Sequence, residues 1–215
     1  MTLTRNDAVL LVGPTGAGKT PLGDALAEAG VGARHCLHFD FGANLRRIAA
    51  GSAMPDTFDD DDLRIVQAAL TAGVLLENES FHVAEKILRA FMKAMAVGDS
   101  DLLILNGLPR HLGQARDTDR LVNMRAVLSL ACTPDIVLAR IRRNTGGDRT
   151  GRLDDSLTEI RAKLRTFQER TQPLLHYYAD KGIPVHHLTV GIETKPAQML
   201  DKVISVLSVL KEIRQ

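Results

Sequence analysis

Eight residues of this sequence, Gly13 to Thr20, have the types and spacing to hold a phosphate. They read Gly-Pro-Thr-Gly-Ala-Gly-Lys-Thr, a glycine, four residues and then Gly-Lys-Thr. Glycine enters backbone conformations closed to other residues, so the N–H groups of Gly13, Thr15, Gly16, Ala17 and Gly18 can turn inward around an anion. The helix that follows presents its positive end to the same anion. Lys19 can reach the outer phosphates, and the Thr20 hydroxyl can ligate Mg²⁺ directly or through water. The pattern predicts a nucleotide, with Mg²⁺ at Thr20. It leaves the reaction open.

A set of arginines narrows the chemistry. Arg46 lies near the start of a predicted helix after the second strand. Arg110 ends the turn Asn106-Gly-Leu-Pro-Arg110 after the third strand. Arg140, Arg142, Arg143, Arg149 and Arg152 gather around a polar stretch, with Asp154 and Asp155 just beyond. Phosphoryl transfer asks a protein mainly to position phosphates and to neutralise charge on the moving group. Arginines from separate segments can clamp donor and acceptor phosphates bidentately. Any one of them alone reads better as a solvated surface charge. Arg110 stands apart, because ligands of open α/β sheets bind outside the carboxyl ends of the strands.

The elements that must position these groups follow from periodicity. Ala8 to Val12 is apolar throughout, as in a strand covered on both faces. A helix from Lys19 to Ala29 stops at Gly30, with Pro21 tolerated in its first turn. A second strand is expected near Arg34 to His38, and Asp40 to Ala50 reads as a loop turning into a helix. The run Asp59 to Asp62 is read as capping the helix it precedes rather than as a metal cluster. Helices are expected from Leu63 to Gly73 and from Asn78 to Val97. Leu102 to Leu105 and Arg125 to Ala131 read as strands, and Ile136 to Arg143 as a helix. Asn144 to Arg152 has no apolar periodicity and reads as an exposed, mobile loop. A long helix begins near Ser156, with Leu157, Ile160, Leu164 and Phe167 facing inward and Pro173 kinking or dividing it. Val185 to Val190 and Ala197 to Ile213 give the last strand and helix. This alternation predicts one α/β domain over 1–215: a doubly wound, five-stranded parallel sheet.

The bulk properties set limits. The chain has 215 residues, 45% of them hydrophobic, enough for a sizeable core. A formal net charge of +1 gives no argument for nucleic acid or an acidic membrane. Cys36 and Cys132 lack metal-ligand spacing and are expected to be buried free thiols. The histidines show no metal spacing on a shared face, and His186 and His187 must point to opposite sides of a strand. With no leader and no apolar run long enough to span a bilayer, the expectation is a cytoplasmic protein. Its partners are expected to be small nucleotides, with no nucleic acid and no membrane, and it is expected to be a monomer.

The motifs together resemble the adenylate kinase family of nucleoside monophosphate kinases over nearly the whole chain. Asn106-Gly-Leu-Pro-Arg110 with Gln114 is similar to that family's Asp-Gly-Phe-Pro-Arg…Gln signature, and Gly151-Arg-Leu-Asp-Asp155 to its lid exit. Gly42 to Arg46 resembles the helix start of its acceptor site. The stretch from Ile160 through Thr171-Gln-Pro173 to Tyr178 resembles the helix after the lid.

The resemblance implies that Gly13 to Thr20 hold the ATP phosphates and that Arg46 and Arg110 grip an acceptor monophosphate. It implies that Gln114 meets an adenine edge and that Arg152, with Arg143 or Arg149, closes over the transferred group. Asp154 then orients lid arginines, and 41–75 and 143–153 are two moving segments. Four positions depart from the family pattern. Phe41 stands at a base-contacting Thr. Ala43 and Asn106 each replace an Asp, the latter one that organises Mg²⁺ waters. Lys163 takes the place of a catalytic Arg. The activity implied is reversible transfer from Mg-ATP to AMP. A kinase of another small acceptor, or a weakly catalytic nucleotide-binding module, are the alternatives that these departures raise.

Overall fold

The computed structural model describes residues 5–52, 54–148 and 156–208. Its centre is a sheet of five strands: β1 (Asp7–Val12), β2 (Cys36–Asp40), β3 (Leu102–Asn106), β4 (Asn123–Ala131) and β5 (Val185–Thr189). The order across the sheet is β2-β3-β1-β4-β5, and every pairing is parallel.

Parallel neighbours need crossovers, and helices on both faces supply them. Side chains of β1 therefore alternate between two apolar cores. Ala8, Leu10 and Val12 join one that includes Phe39, Leu105 and Tyr178. Val9 and Leu11 join another that includes Leu22, Leu26 and Val203. The doubly wound sheet expected from the apolar runs is the observed fold. No helix of the described residues is long and apolar enough to cross a membrane.

Helix α1 (Lys19–Ala29) follows β1, and α2 (Phe41–Ala49) follows β2 without a break. Helix α3 (Asp60–Ala72) starts on a capping box, in which Asp59 accepts from the Asp62 N–H and Asp62 accepts from the Asp59 N–H. The acidic run is a helix start, as expected. Burial alone would raise the Asp62 carboxyl, but Lys86 at 2.6 Å and the Asp59 N–H outweigh it and hold the group below its ordinary value. A short 3₁₀ turn (Asn78–Ser80) leads into α4 (Phe81–Ala94).

Helix α5 (Leu112–Leu121) has no counterpart among the expected elements. Only its two ends are leucine, and it buries Gln114, Ala115 and Thr118 rather than an apolar stripe. Helix α6 spans Pro134–Arg143 and α7 spans Leu157–Thr166. A π turn (Phe167–Thr171) separates α7 from α8 (Leu174–Asp180), so Pro173 marks a division of the predicted long helix. Helix α9 (Pro196–Ser208) closes the described chain. Cys36 and Cys132 are free thiols, and burial pushes the Cys36 thiol up to about 11.

Candidate active site

The carboxyl ends of β1, β2 and β3 lie side by side, because these strands are neighbours and parallel. Gly13 to Thr20 leaves β1 there and turns directly into α1. The turn requires left-handed backbone at Gly16 (φ 74°) and Gly18 (φ 98°), which L side chains rarely adopt. A Cβ on Gly16 would also stand 2.7 Å from Ile141 Cγ1. No side chain caps the start of α1, and its positive end faces the loop. The Lys19 ammonium folds back over the loop, donating to the Gly13 carbonyl at 2.7 Å and the Pro14 carbonyl at 2.8 Å. A helix positive end with a lysine ammonium held over the loop favours a polyphosphate.

Thr20 meets two other strand ends. Its hydroxyl donates to Asp40 Oδ2 at 2.6 Å. The Asn106 amide donates to Thr20 Oγ1 and to Asp40 Oδ2, both at 3.0 Å. Thr20 and Asn106 are thus brought together as the motif and the resemblance imply. Asp40 was not singled out from the sequence as a site residue. It stands directly opposite Asn106 in the β2–β3 register. Its other oxygen accepts from the Ala43 N–H at 2.8 Å and caps α2. The hydroxyl and carboxylate oxygens of Thr20 and Asp40 suit a hard cation such as Mg²⁺.

Arg46 lies exposed on α2, and Arg110 lies half-buried after β3. Neither the Arg46 nor the Arg110 guanidinium has a hydrogen-bond or ion-pair partner among the described residues. Burial alone holds Arg110 below its ordinary value, with no carboxylate to offset it. Its backbone is fixed on both sides: the N–H donates to Gln114 Oε1 at 2.8 Å, and the carbonyl accepts from Thr171 Oγ1 at 2.8 Å. A rigidly mounted, desolvated and unpaired guanidinium is a site for an anion.

Two residues that the resemblance puts against an acceptor base are otherwise engaged. The Phe41 ring is 5% exposed and lies in the core, 6.1 Å from the Phe39 ring centroid. Alternation from Phe39 through Asp40 sends Phe41 inward. Gln114 is buried, and its amide nitrogen donates to the Leu76 carbonyl at 2.9 Å while its oxygen holds Arg110. Both ends of that side chain therefore tie the turn at Arg110 to the loop before α4.

On the opposite side of the loop, Arg140 is only 2% exposed. It donates to the carbonyls of Gly16 at 3.0 Å, Gly191 at 2.8 Å, Ile192 at 3.2 Å and Thr194 at 2.9 Å. It thus ties the phosphate loop to the 191–194 turn, a role the sequence reading did not assign. Val137, Arg140 and Ile141 are the buried residues of α6, so the inward face of that helix carried the signal. Arg143 ends α6 exposed and paired with Glu193. Lys163 lies half-buried on α7. Arg149, Arg152 and Asp154, expected in the lid, lie outside the described residues, as does the Gly151 to Asp155 motif.

Residues 9–162 match the family model described as AAA domain. The chain is 29% identical to an adenylate kinase of Synechococcus sp. strain RCC307, over 81% of this chain and 85% of that protein. It is 26% identical to the adenylate kinase of Deinococcus radiodurans, over 95% of this chain and 98% of that one. Among solved structures, a gluconokinase from Sinorhizobium meliloti 1021 superposes with a TM-score of 0.57 at 15% identity, covering 96% of this chain and 94% of that one. The last likeness shows a shared fold. The matched span runs from β1 through most of α7 and carries the loop, Arg46, Arg110 and Asp40, and the chain belongs to the AAA domain family as a P-loop protein of the kinase kind.

Proposed function

We propose that this kinase transfers the terminal phosphoryl group of Mg-ATP to the phosphate of a nucleoside monophosphate, AMP first. The observation that carries the reading is Arg110: half-buried, unpaired among the described residues and fixed beyond the carboxyl end of β3, on the side of the sheet where the phosphate loop opens. A partly desolvated charge without a partner gains from the arrival of an anion. A monophosphate acceptor supplies that anion at the right end of the sheet. The relatives named adenylate kinase support the same reading.

In this scheme Gly13 to Thr20 hold the donor phosphates, and Lys19 shifts from the loop carbonyls to the outer phosphates. Arg46 and Arg110 orient an oxygen of the acceptor phosphate in line with the terminal phosphorus. The bond between that oxygen and phosphorus forms as the bond to the bridging oxygen breaks, giving ADP and a nucleoside diphosphate. Thr20 and, through water, Asn106 hold Mg²⁺, which when bound neutralises charge on the donor phosphates. Arg143, Arg149, Arg152 and Lys163 add positive charge around the moving group, with Asp154 orienting the arginines. Closure of 41–75 and 143–153 excludes water, a competing acceptor.

The placements of Phe41 and Gln114 favour one second reading: a different small acceptor that still carries a phosphate. A coupled assay across AMP, CMP, UMP, GMP and their deoxy forms tests both. Turnover with AMP that vanishes in Lys19→Ala supports the first reading. Turnover only with another monophosphate supports the second. No turnover, or equal rates in the two proteins, refutes both.

A further inference from the structure

The site at Thr20 contains a carboxylate for which the resemblance gives no role. In the resemblance the cation's acidic group ends the third strand, where this chain has Asn106. Yet a carboxylate oxygen still sits there. Asp40, at the end of the adjacent strand, faces Asn106 across the ladder. Its Oδ2 lies 2.6 Å from Thr20 Oγ1 and 3.0 Å from Asn106 Nδ2.

We propose that Asp40 is the acidic residue of the cation site, so that its charge comes from β2 instead of β3. Three features support this. The Thr20 hydroxyl gives its proton to Asp40 and accepts from the Asn106 amide, which leaves one lone pair to face a cation and makes the oxygen a better donor to the metal. The other carboxylate oxygen is held by the Ala43 N–H, so the group cannot swing away. Asn106 is the matching change: two carboxylates this close would repel, whereas an amide donates to Asp40. Mg²⁺ keeps several waters and takes one or two carboxylates beside nucleotide phosphates, so a single acidic group suffices. Asp40 is a positioning residue that accepts from those waters and orients Thr20.

The inference rests on ATP docking its cation at Thr20 and is independent of the acceptor. Its test therefore leaves the acceptor out. Mn²⁺ replaces Mg²⁺, a non-hydrolysable ATP analogue is the nucleotide, and bound Mn²⁺ is counted by electron paramagnetic resonance on the full chain. Asp40→Asn keeps the side-chain size and a good helix cap. It is expected to weaken Mn²⁺ binding to the protein–nucleotide complex by about 10- to 100-fold. Metal-free binding of the analogue is expected to stay the same. The pair Asp40→Asn with Asn106→Asp moves the carboxylate across the ladder and is expected to restore Mn²⁺ binding. Unchanged Mn²⁺ affinity in Asp40→Asn, or no recovery in the pair, overturns the assignment and leaves Asp40 as the cap of α2. Absence of monophosphate turnover in the assay above leaves this measurement untouched, so the two readings fail separately.

Discussion

Asp40 and Asn106 are direct partners across the β2–β3 ladder, and the Asn106 amide donates to the Asp40 carboxylate at 3.0 Å. The contact fixes how many negative charges the strand ends can carry. Asn106→Asp puts two carboxylates where one hydrogen bond stood. Without a cation the variant is expected to lose about 1.5–3 kcal/mol of stability, from the lost bond to a charged group and the new repulsion. Added Mg²⁺ with nucleotide is expected to recover most of it. Thermal unfolding in chelator and in Mg²⁺ with a non-hydrolysable ATP analogue reads both parts. Equal stability to the parent in chelator contradicts this geometry.

Arg110→Ala is expected to separate stability from activity. The guanidinium is half-buried without a partner among the described residues, so its removal relieves a partly desolvated, uncompensated charge. Unfolding midpoints are expected to hold or rise. Catalytic efficiency toward the acceptor is expected to fall by at least about 2 kcal/mol in transition-state stabilisation. A fall in stability with intact efficiency would make Arg110 a structural residue.

Gly23 sits on α1 under the His38 ring. A Cβ there would lie 2.3 Å from His38 Nε2, and the ring is held by Asp24 at 2.7 Å. Alanine raises helix propensity by about 1 kcal/mol, but crowding of a closed site opposes it by about 1–3 kcal/mol. Gly23→Ala is expected to be destabilising on balance, with a lower urea midpoint and an unchanged slope. A raised midpoint would mean that the His38 ring moves aside.

Asp62 makes stability depend on acid. Its folded pKa is depressed, so its contribution is present above the unfolded value, near 3.9 for an aspartate, and disappears as pH falls through the folded value. Asp62→Ala removes half of the capping box and is expected to destabilise at neutral pH by about 1 kcal/mol. Urea titrations are expected to show the gap between variant and parent narrowing below about pH 4. A gap that stays constant into acid would contradict the role of the charged form.

The sheet and the phosphate loop were legible because their signals are local. Apolar runs such as Ala8 to Val12 and Leu102 to Leu105 specify strands buried on both faces, and the loop pattern is contiguous. Helix α5 was not legible: its buried face is Gln114, Ala115 and Thr118, and its cap is His111, so neither periodicity nor capping marks it. Asp40 was not legible as a site residue because its significance lies in register. Only the parallel pairing of β2 with β3 puts it opposite Asn106. Phe41 followed the resemblance toward the acceptor, whereas core packing beside Phe39 claims its ring.

The central claim is transfer between phosphates, and ³¹P NMR of the protein with Mg-ATP and one monophosphate at a time follows it directly. With AMP, the account predicts that the ATP γ-phosphate and AMP signals fall together as those of ADP grow, with inorganic phosphate absent. Loss of ATP that yields only inorganic phosphate, or spectra that do not change with any monophosphate, would contradict it.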